Sequence, residues 1–157
     1  MKKEYFDGDL LTAKTDIIAH QVNCIGAFNS GVAACIRNKF ISVFFEYKIL
    51  CYSKSPNDLL GNIQICKVND TQEVVNLFGQ RNFGYDNKRY TSYDGIYDAL
   101  TKLKDYMVSN NKMSVAFPFK MSSDRGGADW NIIEAMIDSA FKDSDISIEI
   151  WKYEPKN

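Results

Sequence analysis

Apolar residues along this chain follow two alternating rhythms. Short runs rich in branched and aromatic side chains predict strands, and stretches with apolar positions three and four apart predict helices. A short edge strand is expected over 2–6 (KKEYF) and a buried strand over 16–20 (DIIAH). A polar loop of small residues, Asn23 to Gly31, leads into a helix with Val32, Cys35, Ile36 and Phe40 on its apolar face. Val43 and Phe44 continue the pattern in a second, kinked segment to about Ser53, and Ser55-Pro56-Asn57-Asp58 reads as a turn cluster. Residues 62–68 alternate with period two and 73–78 follow closely, so they are expected as adjacent strands. After a polar, aromatic loop over 79–90, a helix begins near Thr91, which forms with Asp94 a weak, Asp-type capping box. Its expected inner face is Tyr93, Ile96, Tyr97, Leu100, Leu103 and Met107. A strand over 113–119, a loop from Ser122 to Gly127, a helix over Asp129–Phe141 and a strand over 146–151 complete the pattern. Ile132, Ile133, Met136, Ile137, Ala140 and Phe141 are expected inward on that last helix.

Strands separated by helices point to a largely parallel sheet covered on both faces. Ligands of such sheets sit in the crevice beyond the carboxyl ends of the strands. The loops 21–31 and 120–128 each leave a strand and enter a helix, so both are expected at that edge and together predict one site.

At 157 residues the chain is expected as one domain over 1–157. A domain of this size buries roughly 70% of the surface its unfolded chain exposes. The net charge is −1 and no basic stripe is visible, so nucleic acid is not an expected partner. One small anionic ligand remains compatible, because backbone N–H groups can hold it locally. Cys24, Cys35, Cys51 and Cys66 form no CxxC pair, and the single histidine, His20, cannot complete a zinc spacing, so no metal site is expected. No signal-like segment opens the chain, and its apolar runs are far shorter than the ~20 residues that span a bilayer. A cytoplasmic monomer with reduced, mostly buried thiols and no membrane partner is the expectation.

The order of several short motifs narrows the picture. Gly8-Asp9-Leu10-Leu11 precedes the strand Asp16–His20, Asn23 follows, and Gly31-Val32-Ala33 opens the first long helix. Asn76-Leu77-Phe78-Gly79-Gln80 stands at a third strand end, and Ala116-Phe117-Pro118 leads through a loop to Arg125-Gly126-Gly127-Ala128-Asp129-Trp130. In this order, over nearly the whole chain, the sequence resembles the macrodomain family. Within it, the closest likeness is to the phage- and yeast-type branch assigned to ADP-ribose-1″-phosphate phosphatases. The resemblance implies a three-layer α/β/α macrodomain with a mostly parallel mixed central sheet, a ligand that is ADP-ribose or ADP-ribose 1″-phosphate, and no cofactor.

It also implies roles. Asp9 would accept from the adenine amino group, with the Leu10 backbone N–H beside it; read alone, Asp9 is a turn residue. Asn23 would hold the distal ribose or an attacking water, where a loop Asn otherwise makes a local turn. The free N–H groups of Gly31, Val32 and Ala33 suit a pyrophosphate, and Gly26 permits a positive φ in the same loop. Ser122 and Ser123 offer hydroxyl and N–H groups to phosphate, and Gly126 and Gly127 fit a loop bent close to a ligand. Asp124 is either a catalytic acid/base or a residue turned to solvent, and Arg125 either pairs with it or clamps a phosphate. His20 is either a proton donor or a satisfied core histidine. Trp151 and Tyr153 are candidates to stack on adenine, and Trp130 reads as packing.

Three functions follow from the resemblance. The first is hydrolysis of ADP-ribose 1″-phosphate, with His20, Asp124 and Asn23 as the catalytic set. The second is a non-catalytic module that binds ADP-ribose or a signal derived from it. The third is removal of ADP-ribose from macromolecules. The branch doing that pairs a strand-end Lys with a loop Asp, whereas this strand end reads Phe78-Gly79-Gln80 and the Asp position falls on Gly126.

Overall fold

The structure, a computed structural model, describes residues 1–29 and 31–153. Its strands are β1 (Lys2–Asp7), β2 (Ile17–Asn23), β3 (Ile63–Lys67), β4 (Glu73–Gln80), β5 (Ser114–Pro118) and β6 (Ser147–Lys152). They form one six-stranded sheet in the order β1-β6-β5-β2-β4-β3. Every pairing is parallel except that of β3 with β4, an antiparallel hairpin whose turn is closed by the Val68 N–H on the Gln72 carbonyl. Ile17, Ile18 and Ala19 of β2 are fully buried, as expected of a central strand covered on both faces.

The helices are α1 (Gly31–Lys39), α2 (Ile41–Ser53), α3 (Pro56–Leu59), α4 (Tyr93–Ser109) and α5 (Trp130–Phe141). Leu100, Leu103 and Met107 of α4 and Ile133 and Ile137 of α5 pack on Ile17, Val75, Val115 and Phe117. On the opposite face Ile36, Val43, Tyr47 and Leu59 pack on Ile18, Val74, Phe78 and Ala116. Two cores on one sheet make the three-layer α/β/α architecture.

Several local expectations shift. Phe40 breaks the first helical stretch, and Ile36 is the buried residue of α1 while Cys35 faces solvent. The 55–58 cluster carries the short α3, started by Ser55 as cap and Pro56 at its first position. The α4 cap is Ser92, whose hydroxyl accepts from the Gly95 N–H at 3.0 Å, and this releases Thr91 for another role. Ile132 is 41% exposed and so faces outward. Asp129 caps α5 through the Asn131 N–H at 2.9 Å. The four thiols are free; Cys24 and Cys66 are buried and Cys51 is half-buried. Among the described residues no helix is long and apolar enough to cross a membrane.

Candidate functional site

The carboxyl ends of β2, β4 and β5 open into a cavity of about 370 Å³. One wall is the start of α1, with Gly31, Val32 and Ala33; the opposite wall is the loop from Phe119 to Gly126; Phe83, Gly84 and Tyr85 stand across its mouth. The two strand-to-helix loops therefore meet at one site, as their places in the sequence require. Gly31 has φ +60°, which turns the chain sharply into α1. The first N–H groups of a helix lack partners within it, and the positive end of its dipole favours an anion.

The loop before α1 is organised by Asn23. Its side-chain oxygen accepts from the Ile25 N–H (3.1 Å), the Ala27 N–H (3.2 Å) and the Tyr47 hydroxyl (2.8 Å), and its amide donates to the Ala27 carbonyl at 2.8 Å. Asn23 lines the cavity, yet its carbonyl oxygen is fully engaged and its local turn-forming role is the one observed. Gly26 takes φ +84°, the conformation expected of it.

In the second loop the serine hydroxyls are spent inside the protein. Ser122 donates to Gln21 Oε1 at 2.6 Å and Ser123 to the Met121 carbonyl at 3.3 Å, so neither offers its hydroxyl hydrogen to a phosphate. The backbone is better placed. Among the described residues, the N–H groups of Asp124, Arg125, Gly126 and Gly127 donate to no backbone carbonyl. Asp124 is exposed on the cavity wall. Arg125, on the same wall, reaches Tyr85, donating to the hydroxyl at 3.1 Å with its guanidinium 4.6 Å from the ring centre. Gly126 and Gly127 have a different reason from the one expected. A Cβ on Gly126 would stand 2.4 Å from Thr91 Oγ1, and one on Gly127 2.7 Å from the Lys88 carbonyl oxygen. These glycines admit the neighbouring 88–91 segment, whose Tyr90 and Thr91 N–H groups both donate to the Gly126 carbonyl.

His20 is 2% exposed, and its Nε2 lies 2.6 Å from Asn76 Oδ1. The Asn76 amide nitrogen donates to Gln64 Oε1 at 3.0 Å, so its oxygen is the acceptor and His20 carries the hydrogen on Nε2. Burial pushes the imidazole pKa down to about 4, against the smaller upward pull of Asn76. His20 also lines the cavity; of its two expected readings, these bonds and its burial describe the satisfied core histidine.

The adenine candidates lie at the same edge but off the cavity wall. Exposed Asp9 caps the 3-10 turn Leu10–Thr12, accepting from the Leu11 N–H at 2.9 Å, while the Leu10 side chain is buried. The turn reading of Asp9 is thus observed. One face of the Trp151 ring is taken by Phe6, stacked at 5.1 Å, and its indole N–H donates to Glu149. Tyr153 is 69% exposed. Trp130 packs edge-on against Phe119 at 5.4 Å, as expected of a packing residue.

The sequence suggests no role at the site for Gln21, Phe119 or Lys120, and for Thr91 only a helix cap. Gln21 is next to a singled-out histidine, and its alternation with β2's apolar residues was the available signal. Lys120 has φ +59° just past Pro118, which no composition rule predicts.

No family model matches the sequence. It is 24% identical over 141 residues to a DNA ADP-ribosyl glycohydrolase of Mycobacterium tuberculosis, covering 88% of this chain and spanning 38% of that protein's length. It is 32% identical over 96 residues to an ADP-ribose 1″-phosphate phosphatase of Meyerozyma guilliermondii, covering 58% of this chain and 54% of that protein. Among solved structures, the macrodomain of Mycobacterium tuberculosis DarG superposes with a TM-score of 0.82 at 24% identity, over 98% of both chains. Thermosipho africanus DarTG in complex with ADP-ribose superposes with a TM-score of 0.81 at 17% identity, over 99% of this chain and 43% of that one. This chain has the macrodomain fold, its cavity lying at the carboxyl edge of a mixed six-stranded sheet between two helical layers.

Proposed function

We propose that the cavity binds ADP-ribose and that the chain hydrolyses ADP-ribose 1″-phosphate there. The observation that carries this reading is that the start of α1 and the segment Asp124–Gly126, both with backbone N–H groups not bonded to backbone carbonyls, line one cavity. Such an arrangement suits a ligand with several phosphate oxygens. The names of the yeast relative and of the ADP-ribose complex point to the same ligand class. Asp9 and the Leu10 N–H take the adenine, with Phe119 and Trp151 as the nearby aromatic edge, and the distal ribose lies toward Asp124.

In the reaction, a water oxygen bonds to phosphorus as the bond from phosphorus to the 1″ oxygen breaks. The Asp124 carboxylate takes the water's proton and returns it to the leaving ribosyl oxygen. Lys120 and Arg125 bring positive charge to the same wall. Backbone N–H groups stabilise the charge on the transferring phosphoryl group.

A second reading is binding without turnover. It is favoured by His20 and Asn23, whose hydrogen-bonding atoms serve the fold and leave Asp124 as the candidate base. Calorimetry with ADP-ribose and phosphate release from the 1″-phosphate separate the two. Release by wild type that is lost in Asp124→Ala supports the phosphatase; binding with no release leaves the binder. Release of ADP-ribose from ADP-ribosylated DNA, the activity in the mycobacterial relative's name, with no phosphate release would replace both.

A further inference from the structure

Gln21, on the cavity wall, makes three side-chain hydrogen bonds that tie separate segments together. Its Oε1 accepts from the Ser122 hydroxyl at 2.6 Å, and its amide nitrogen donates to Gln80 Oε1 and to Thr91 Oγ1, each at 2.8 Å. Thr91 in turn donates to the Ser122 carbonyl at 3.0 Å, so Gln21, Thr91 and Ser122 close a ring of hydrogen bonds. One amide thereby joins the end of β4, the segment entering α4 and the second loop to β2. The fold leaves room for it: a Cβ on Gly79 would stand 2.2 Å from Gln21 Oε1.

The ring holds a residue in an unfavourable backbone conformation. Ser122 has φ +69°, a left-handed conformation that costs a non-glycine residue roughly 1 kcal/mol or more. Its hydroxyl is held by Gln21, and its carbonyl accepts from Thr91 and from the Ala128 N–H at 2.9 Å. The turn at Ser122 sets the course of the following peptide groups, Asp124 to Gly127, whose N–H groups donate to no backbone carbonyl among the described residues. Preorganised donors serve an anion better than donors that must be ordered on binding.

We propose that Gln21 is a positioning residue: it fixes the Ser122 turn and thereby aims the second loop's N–H groups at the phosphate and distal ribose of the ligand. This rests on the ADP-ribose reading of the cavity. The Gln21 network does not reach the adenine end, so its loss is selective for the phosphate-bearing part.

Two measurements test this on the full chain. In the ligand-free protein, Gln21→Ala should speed amide hydrogen exchange across 120–127 at least tenfold, with β2 and β4 amides unchanged. In calorimetric and NMR titrations, Gln21→Ala should weaken ADP-ribose at least tenfold while adenosine, which lacks the phosphates, changes less than twofold. Ser122→Ala, which removes one link of the ring, should move both readouts in the same direction by a smaller factor. It also decides the question should Gln21→Ala not fold. Unchanged exchange over 120–127 overturns the proposal, as does equal weakening of ADP-ribose and adenosine, the mark of a merely structural role. If wild type binds no ADP-ribose, the function proposed above fails, while the exchange comparison still decides whether Gln21 holds the loop.

Discussion

His20 and Asn76 face each other across the β2–β4 pair with 2.6 Å between Nε2 and the side-chain oxygen, a bond that fixes the ring while burial keeps it neutral. Its pKa falls from the ordinary 6.5 to about 4 through burial. The unfolded chain therefore binds a proton that the folded chain refuses between these two values. Stability present above pH 6.5 is lost as the pH drops toward 4, by about 3 kcal/mol for this group. Urea denaturation at pH 7 and pH 4.5 should show this loss, and His20→Asn should flatten the part due to histidine. At neutral pH, phosphate release by folded His20→Asn should stay within a few-fold of wild type; a fall of a hundredfold would return His20 to the chemistry.

Asp124 stands on the cavity wall, and the removal of its charge should separate binding from turnover. Asp124→Asn is expected to bind ADP-ribose as tightly as wild type or a few-fold more tightly, since a like charge near the phosphates is gone. Phosphate release should fall by roughly 10²–10⁴-fold, the usual share of a general acid/base. Titration calorimetry and a phosphate-release assay on the same preparation check both.

Gly126→Ala places a methyl group 2.4 Å from Thr91 Oγ1 and 2.5 Å from the Ser122 carbonyl oxygen. The 88–91 segment must move, at a cost of about 1–3 kcal/mol typical of overpacking. A lowered thermal midpoint is expected, and ADP-ribose affinity should fall with it because the Ser122 turn is displaced.

The Arg125–Tyr85 contact is exposed and joins the second loop to the Phe83–Tyr85 segment at the cavity mouth. Exposed cation–π pairs contribute about 0.5–1 kcal/mol. Tyr85→Ala should leave the thermal midpoint nearly unchanged while raising the ADP-ribose dissociation rate in stopped-flow measurements. An unchanged rate would show that the contact does not gate the cavity.

The strands and helices were legible because burial imposes periodicity: Ile17, Ile18 and Ala19 had to be a central strand, and Leu100, Leu103 and Met107 one face of a helix. The meeting of the two loops was legible from connectivity alone. What stayed hidden depends on atoms brought together from distant positions. Ser122 and Ser123 read as phosphate donors until Gln21, 101 residues from Ser122, is seen to accept the Ser122 hydroxyl hydrogen. The glycines at 126 and 127 suggested a ligand, whereas the Thr91 side chain and the Ser122 backbone crowd the first and the Lys88–Arg89 backbone crowds the second. Spacing of residue types gave no means of telling a hydroxyl that awaits a phosphate from one already satisfied.

The pairing of β1 with β6 has a consequence for synthesis. Lys2 lies beside Ser147 and Asp7 beside Lys152, so β1 finds its partner only after the residues of α1 to α5 have been made. Until then the inner edge of β1 and the exposed side of β5 are unsatisfied template edges. Insertion of β6 between β1 and β5 is therefore the step that ties β1 to the sheet and closes both edges at once.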